Sequence, residues 1–182
     1  MNISVYLGSS PACLAEYNQL AYDLGRAIAE AGHTLVYGGA NVGTMKFLAE
    51  GAQSAGGDVI GVFPRGFAGT VEVKGMEIMR PGLTEMVMTE DFAERKKVME
   101  QRSDCCIILP GSFGTLDELF TYACNRSIGK HAKQIYVLDH NGYYSPLRQL
   151  FANMDAAGFL KPSTVGIVTF CDSIEDILAR LK

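Results

Sequence analysis

"CCIILPGSFGTLDELFTYACNRSI", residues 105–128, runs from a strand through a turn into a helix within one short stretch. Cys105 to Pro110 is apolar without polar alternation, the pattern of a strand covered on both faces. Gly111 and Gly114 then punctuate the chain, and Leu116, Leu119, Phe120 and Ala123 recur at helical spacing. Strand, glycine turn and helix make up one half of a βαβ unit.

The same alternation extends in both directions. Upstream lie a strand at "ISVYL" (3–7), a helix through 17–32, a strand at "TLVYGG" (34–39), a helix near 44–56 and a strand at "DVIGVF" (58–63). A strand at "TEMVM" (84–88) and a helix over 91–103 precede the opening stretch. It is followed by a strand at "QIYVL" (134–138), a helix over 143–158, a strand at "TVGIVTF" (164–170) and a last helix near 174–181. The alternation predicts one domain over residues 1–182: a doubly wound, Rossmann-like α/β fold of about seven mostly parallel strands with helices on both faces. Residues 64–82 form the one poorly periodic part, and a long connection in such a domain is often functional.

A formal charge of −4, with basic residues scattered, gives no footprint for wrapping nucleic acid, although a local anion pocket fits. No apolar run is long enough to span a bilayer, and no signal-like segment precedes the first strand, so a cytoplasmic protein is expected. The five cysteines show no CxxC or zinc spacing and are expected to be reduced thiols. His33, His131 and His140 lie far apart with no ligand pattern, so no metal is expected.

Ligands of an open parallel sheet sit beyond the carboxyl ends of its strands. The loops there read "GSSP" from Gly8, "YGGANVG" from Tyr37, "FPRG" from Phe63 and "PGSFGT" from Pro110. The last opens a helix, whose free N–H groups and positive dipole end suit a phosphate. It is not a Walker loop, and it lacks the full dinucleotide fingerprint. Thr115 and Glu118 fit a capping box. On a helical wheel Glu118 lies away from the apolar arc and points from the first turn toward the loop rim, where it could cap, catalyse or do both. In the helix over 91–103, Asp91 and Arg95 could form a solvated i,i+4 pair. Phe92 and Met99 mark the apolar face, however, with Arg95 at its edge, and a half-buried guanidinium needs an anionic or polar partner: Asp, Glu or a ligand.

On these residues the sequence resembles the LOG (Lonely Guy) family of cytokinin riboside 5′-monophosphate phosphoribohydrolases, many of which carry an old lysine decarboxylase label. The family's PGGxGTxxE motif appears as "PGSFGTLDE" and its RKxxM element as "RKKVM", Arg95 to Met99. Further likeness lies at "GSS" from Gly8, "YGGANVGTM" from Tyr37, "GGDVIGVFP" from Gly56, "NGYYSPL" from Asn141 and "AGFL" from Ala157. Ser112 replaces the second glycine of PGG, Ala40 the third glycine of YGGG, and Lys46 a glycine frequent in the family.

The resemblance implies hydrolysis of the N-glycosidic bond of a nucleoside 5′-monophosphate, such as AMP or an N6-modified AMP, to free base and ribose 5-phosphate. It implies Glu118 and Arg95 as catalytic residues, with Arg95 also binding substrate. Gly8, Ser9, Glu77, Lys96, Gly111, Ser112, Phe113, Gly114, Thr115 and Asp117 would complete the substrate site. No cofactor is implied, and a homodimer is. The chemistry suits a carboxylate, because glycosidic cleavage passes through an oxocarbenium-like state. A non-catalytic nucleotide-binding or carrier protein of the same fold is the alternative. Amino-acid decarboxylation would need a pyridoxal phosphate lysine, and an NAD enzyme an acidic residue about 20 positions beyond a full fingerprint; neither context is evident.

Overall fold

The computed structural model describes residues 1–65 and 79–181. Its strands are β1 (Asn2–Tyr6), β2 (Thr34–Tyr37), β3 (Val59–Pro64), β4 (Glu85–Thr89), β5 (Cys105–Ile108), β6 (Gln134–Leu138) and β7 (Val168–Cys171). Its helices are α1 (Ala15–Glu30), α2 (Gly43–Ser54), α3 (Phe92–Gln101), α4 (Phe113–Ser127), α5 (Ser145–Ala156) and α6 (Ile174–Arg180). All neighbouring strands pair in parallel, in the order β4-β3-β2-β1-β5-β6-β7. The fold is therefore the doubly wound, Rossmann-like one that the alternation of periods implies.

Side chains alternate between two cores. Ile3, Val5, Leu35, Tyr37 and Ile107 face one side with Leu24 and Ile28 of α1 and Leu48 and Ala52 of α2. Tyr6, Val36, Val62, Cys106 and Ile108 face the other, with Met99 of α3 and Leu119 and Tyr122 of α4. The central strands are buried on both faces, which explains their unbroken apolar runs, whereas β4 and β7 at the edges are only half-buried.

Chain direction decides where a ligand can sit. From β1 the chain steps outward through β2, β3 and β4, then returns to place β5 on the other side of β1. The loops after β1 and β5 diverge, so the crevice of the sheet opens between Gly8 and Gly111. Among the described residues, no helix is long and apolar enough to cross a membrane.

Several element bounds differ from expectation; α1, for instance, spans Ala15–Glu30 rather than 17–32. Helix α4 starts at Phe113 rather than Thr115, with Ser112 as its N-cap. Helix α5 starts at Ser145 rather than Tyr143, because a 3-10 turn over His140–Gly142 intervenes, with Asn141 at φ 52° and Gly142 at φ 75°. Strand β7 starts at Val168, since 162–166 turns.

Candidate active site

The loop after β5 begins with three carbonyls in succession that are all engaged. Leu109 O accepts from the Tyr144 hydroxyl at 2.8 Å, Pro110 O from Gly8 N–H at 3.2 Å, and Gly111 O from the Tyr143 hydroxyl at 2.7 Å. The amides that follow are different. The Gly111 N–H faces the Tyr144 hydroxyl oxygen, whereas among the described residues none accepts from the N–H groups of Ser112, Phe113, Gly114 or Thr115, and the Ser112 side chain makes no capping bond. A helix of 15 residues thus begins with its orphan donors and positive dipole end free for an anion. Gly111 is required by space: a Cβ there would lie 2.1 Å from Thr115 Oγ1 and 2.8 Å from Gly8 N. Ser112 has φ −105°, an ordinary extended value, so serine fits where the family has glycine.

Gly8, Ser9, Ser10, Cys13, Tyr17, Thr44, Pro110, Gly111, Ser112 and Tyr143 line a cleft of about 180 Å³ at this switch point. The Thr44 hydroxyl, on the first turn of α2, donates to the Gly8 carbonyl and ties the rim together. Phe113 offers its backbone here, its side chain being 89% exposed.

Glu118 corrects the expectation from the wheel. It lies in the second turn of α4, too far from Ser112 to close a capping box, and it is buried at 9% exposure instead of pointing to the rim. Helix α3 covers it. Arg95, expected at the edge of α3's apolar face, is buried at 7%, with Nη1 3.4 Å from Glu118 Oε1 and Nε donating to Val62 O at 3.0 Å. The open choice of partner for Arg95 is thereby resolved in favour of Glu118. Asp91 does not pair with it; as N-cap of α3 its carboxylate accepts from Glu94 N–H at 2.8 Å. Phe92, read as core, is 50% exposed, with its ring 5.8 Å from the Arg95 guanidinium.

Gly38, just past β2, explains how a guanidinium reaches this depth: a Cβ on it would stand 1.8 Å from Arg95 Nη2. Burial pushes the Glu118 carboxyl up to about 7, with Arg95 and Lys96 pulling the other way and Asp117 adding to the rise. A carboxyl poised there exchanges a proton near neutral pH, the property of a general base. Lys96 and Asp117 sit together at the same helix pair, with Nζ 2.7 Å from Asp117 Oδ2 and 3.3 Å from Thr121 Oγ1. Glu77 lies outside the described residues.

Tyr17, Tyr143, Thr44 and Gly38 escaped sequence reasoning as site residues. Asn141-Gly142 before the two tyrosines was the available signal, since such a pair marks a turn rather than a helix start. Among the described residues no three His, Cys, Asp or Glu side chains gather in a metal-binding group.

Fold and site together define a Rossmann-like α/β protein with a buried carboxylate–guanidinium pair beside a free helix N-terminus at the switch point. A family profile described as "Possible lysine decarboxylase" matches residues 45–181. The chain is 37% identical over 181 residues to the cytokinin riboside 5′-monophosphate phosphoribohydrolase of Rhodococcoides fascians, covering 100% of this chain and 89% of that one. It is 35% identical to the enzyme of the same name from Mycobacterium tuberculosis, covering 97% and 90%. The chain belongs to this family, the LOG family, whose profile carries the lysine decarboxylase description. The molybdenum cofactor carrier protein of Chlamydomonas reinhardtii superposes with a TM-score of 0.74 at 21% identity over 99% of this chain and 94% of that one, a likeness of fold.

Proposed function

We propose that the protein hydrolyses the N-glycosidic bond of a nucleoside 5′-monophosphate, AMP or an N6-modified AMP of the cytokinin type, giving free base and ribose 5-phosphate. The observation that carries this reading is the buried pair of Glu118 and Arg95 beside Gly38 at the carboxyl end of β2, with Glu118 on the second turn of the same helix whose free N-terminus lines the cleft. The amides of Ser112 to Thr115, with Gly111, Gly8 and Ser9 lining the same cleft, hold the phosphate and fix the sugar by its 5′ end. Water forms its bond to C1′ as the C1′–N bond breaks, the electron pair leaves with the base, and the base nitrogen takes up a proton from solvent, balanced when Glu118 releases to solvent the proton it took from the water. Glu118 takes the proton of the water and its charge stabilises the oxocarbenium-like centre, while Arg95 balances charge on the substrate. Lys96 and Asp117 belong to the substrate site, as does Glu77. No metal or cofactor enters this chemistry. A cytoplasmic location is part of the same reading and accords with five unpaired cysteines.

The test is purified protein incubated with AMP, and separately with an N6-modified analogue, with no metal or pyridoxal phosphate added. Base and ribose 5-phosphate are expected in equal amounts, and nucleosides without the phosphate should be poor substrates because positioning is lost. Absence of base release from every nucleoside monophosphate would favour the non-catalytic carrier reading.

We propose in addition that the chain is a homodimer. A cavity of about 480 Å³ lies away from the charged pair, in an apolar groove where Phe120 and Ile128 of the α4 end, Phe151 of α5, and Phe159, Val165 and Phe170 meet. Phe120, Ile128, Phe159 and Val165 are all exposed, a patch that suits a second copy. A solution mass twice that of the chain at micromolar concentration is expected; a monomer mass refutes it.

A further inference from the structure

We infer that Tyr143 is a positioning residue for anion recognition, setting the orientation of the Gly111–Ser112 peptide. The inference rests on the phosphate-binding reading of the α4 N-terminus.

Two observations carry it. The Tyr143 hydroxyl donates to Gly111 O at 2.7 Å, and the same side chain lines the cleft that Gly111 and Ser112 line. A trans peptide holds its C=O and N–H in opposite directions, so fixing Gly111 O fixes the direction of the Ser112 N–H. That N–H is one of the free donors, and a donor contributes most to anion binding when its direction is set before the ligand arrives.

The turn that delivers Tyr143 is built for rigidity. Buried Asp139 accepts from Tyr144 N–H at 2.6 Å and from the Ser145 hydroxyl at 3.2 Å, with Arg148 Nη2 at 3.5 Å. The left-handed Asn141 and Gly142 then reverse the chain. Tyr17 of α1 meets the Tyr143 ring edge-on at 5.8 Å between centroids, and Tyr144 meets it at 4.9 Å, so its direction is fixed by packing as well. Tyr143 is itself exposed, so loss of its hydroxyl leaves Gly111 O open to water and the fold without a buried unsatisfied group.

Tyr143→Phe separates positioning from packing, since it keeps the ring and removes one hydrogen bond. Affinity for ribose 5-phosphate, measured by calorimetry, should weaken roughly tenfold, as expected for one hydrogen bond, with KM for AMP rising by a similar factor. The fall in kcat should stay within about twofold, and the melting temperature should be unchanged. Ribose 5-phosphate bound equally well by the variant and the wild type overturns the inference, as does a kcat loss larger than the rise in KM. No binding of ribose 5-phosphate to the wild type overturns it together with the phosphate site. If the wild type hydrolyses nothing but the variant still binds ribose 5-phosphate more weakly, the positioning role stands and only the hydrolase reading fails.

Discussion

Glu118→Gln is expected to reduce AMP turnover by roughly 100-fold or more while leaving the protein folded and able to bind AMP. The substitution keeps shape and removes charge, in a place where charge is costly. Burial raises the carboxyl to about 7, so the folded state prefers it protonated. The sign follows: with a folded value above the unfolded one, this group's contribution to stability is greatest below about pH 4.5, declines as pH rises to about 7, and stays low beyond. A permanently neutral glutamine lacks that decline. Against this, Arg95 loses its counter-ion but keeps the Val62 carbonyl. The two effects oppose each other, and Glu118→Gln should melt within a few degrees of the wild type. A carboxylate retained where it opposes folding is what a functional site looks like. Near-normal turnover in the variant would return Glu118 to a structural role.

Arg95→Ala should be as damaging to activity, and for two separable reasons. It removes the cation that the proposed reaction sets against the substrate, and it takes away the largest influence holding the Glu118 carboxyl down. Glu118 should then ionise at higher pH than in the wild type, so part of the lost rate should return on the alkaline side. Stability should fall as well, because Val62 O loses its donor. A buried unmet carbonyl costs about 1–3 kcal/mol, or roughly 3–10 °C in melting temperature at this size. Kinetics across pH, beside a thermal melt, check both expectations. An Arg95→Ala protein with unaltered pH dependence would show that Arg95 acts without touching the ionisation of Glu118.

Much of this was legible in the residues. The unbroken apolar runs of β3 and β5 and the helical spacing between strands specify a parallel sheet covered on both faces. The strand order was not legible, since nothing in "ISVYL" says that β1 pairs with both β2 and β5. Arg95 was half legible: its place beside Met99 marked it as turned inward, but not toward Glu118, which is 23 residues away on another helix. A helical wheel sees only apolar neighbours, so it placed Glu118 at the rim, and the face it occupies is polar because α3 supplies the matching guanidinium. Phe92 erred the other way, as the first residue of α3 beyond its cap, where an apolar side chain can remain at the surface. Tyr143 was hidden by apparent helical continuity with "YSPL", which the left-handed Asn141 and Gly142 interrupt.

The pH dependence of kcat/KM for AMP hydrolysis by the unmodified protein, from about pH 5 to about pH 9, reaches the central claim most directly, because it reports the ionisation of the free enzyme's base. If ionised Glu118 activates the water, the rate should climb through a value near 7, where burial holds that carboxyl, and then level off. A rate that is flat across the range, or that falls as pH rises through 7, would contradict it.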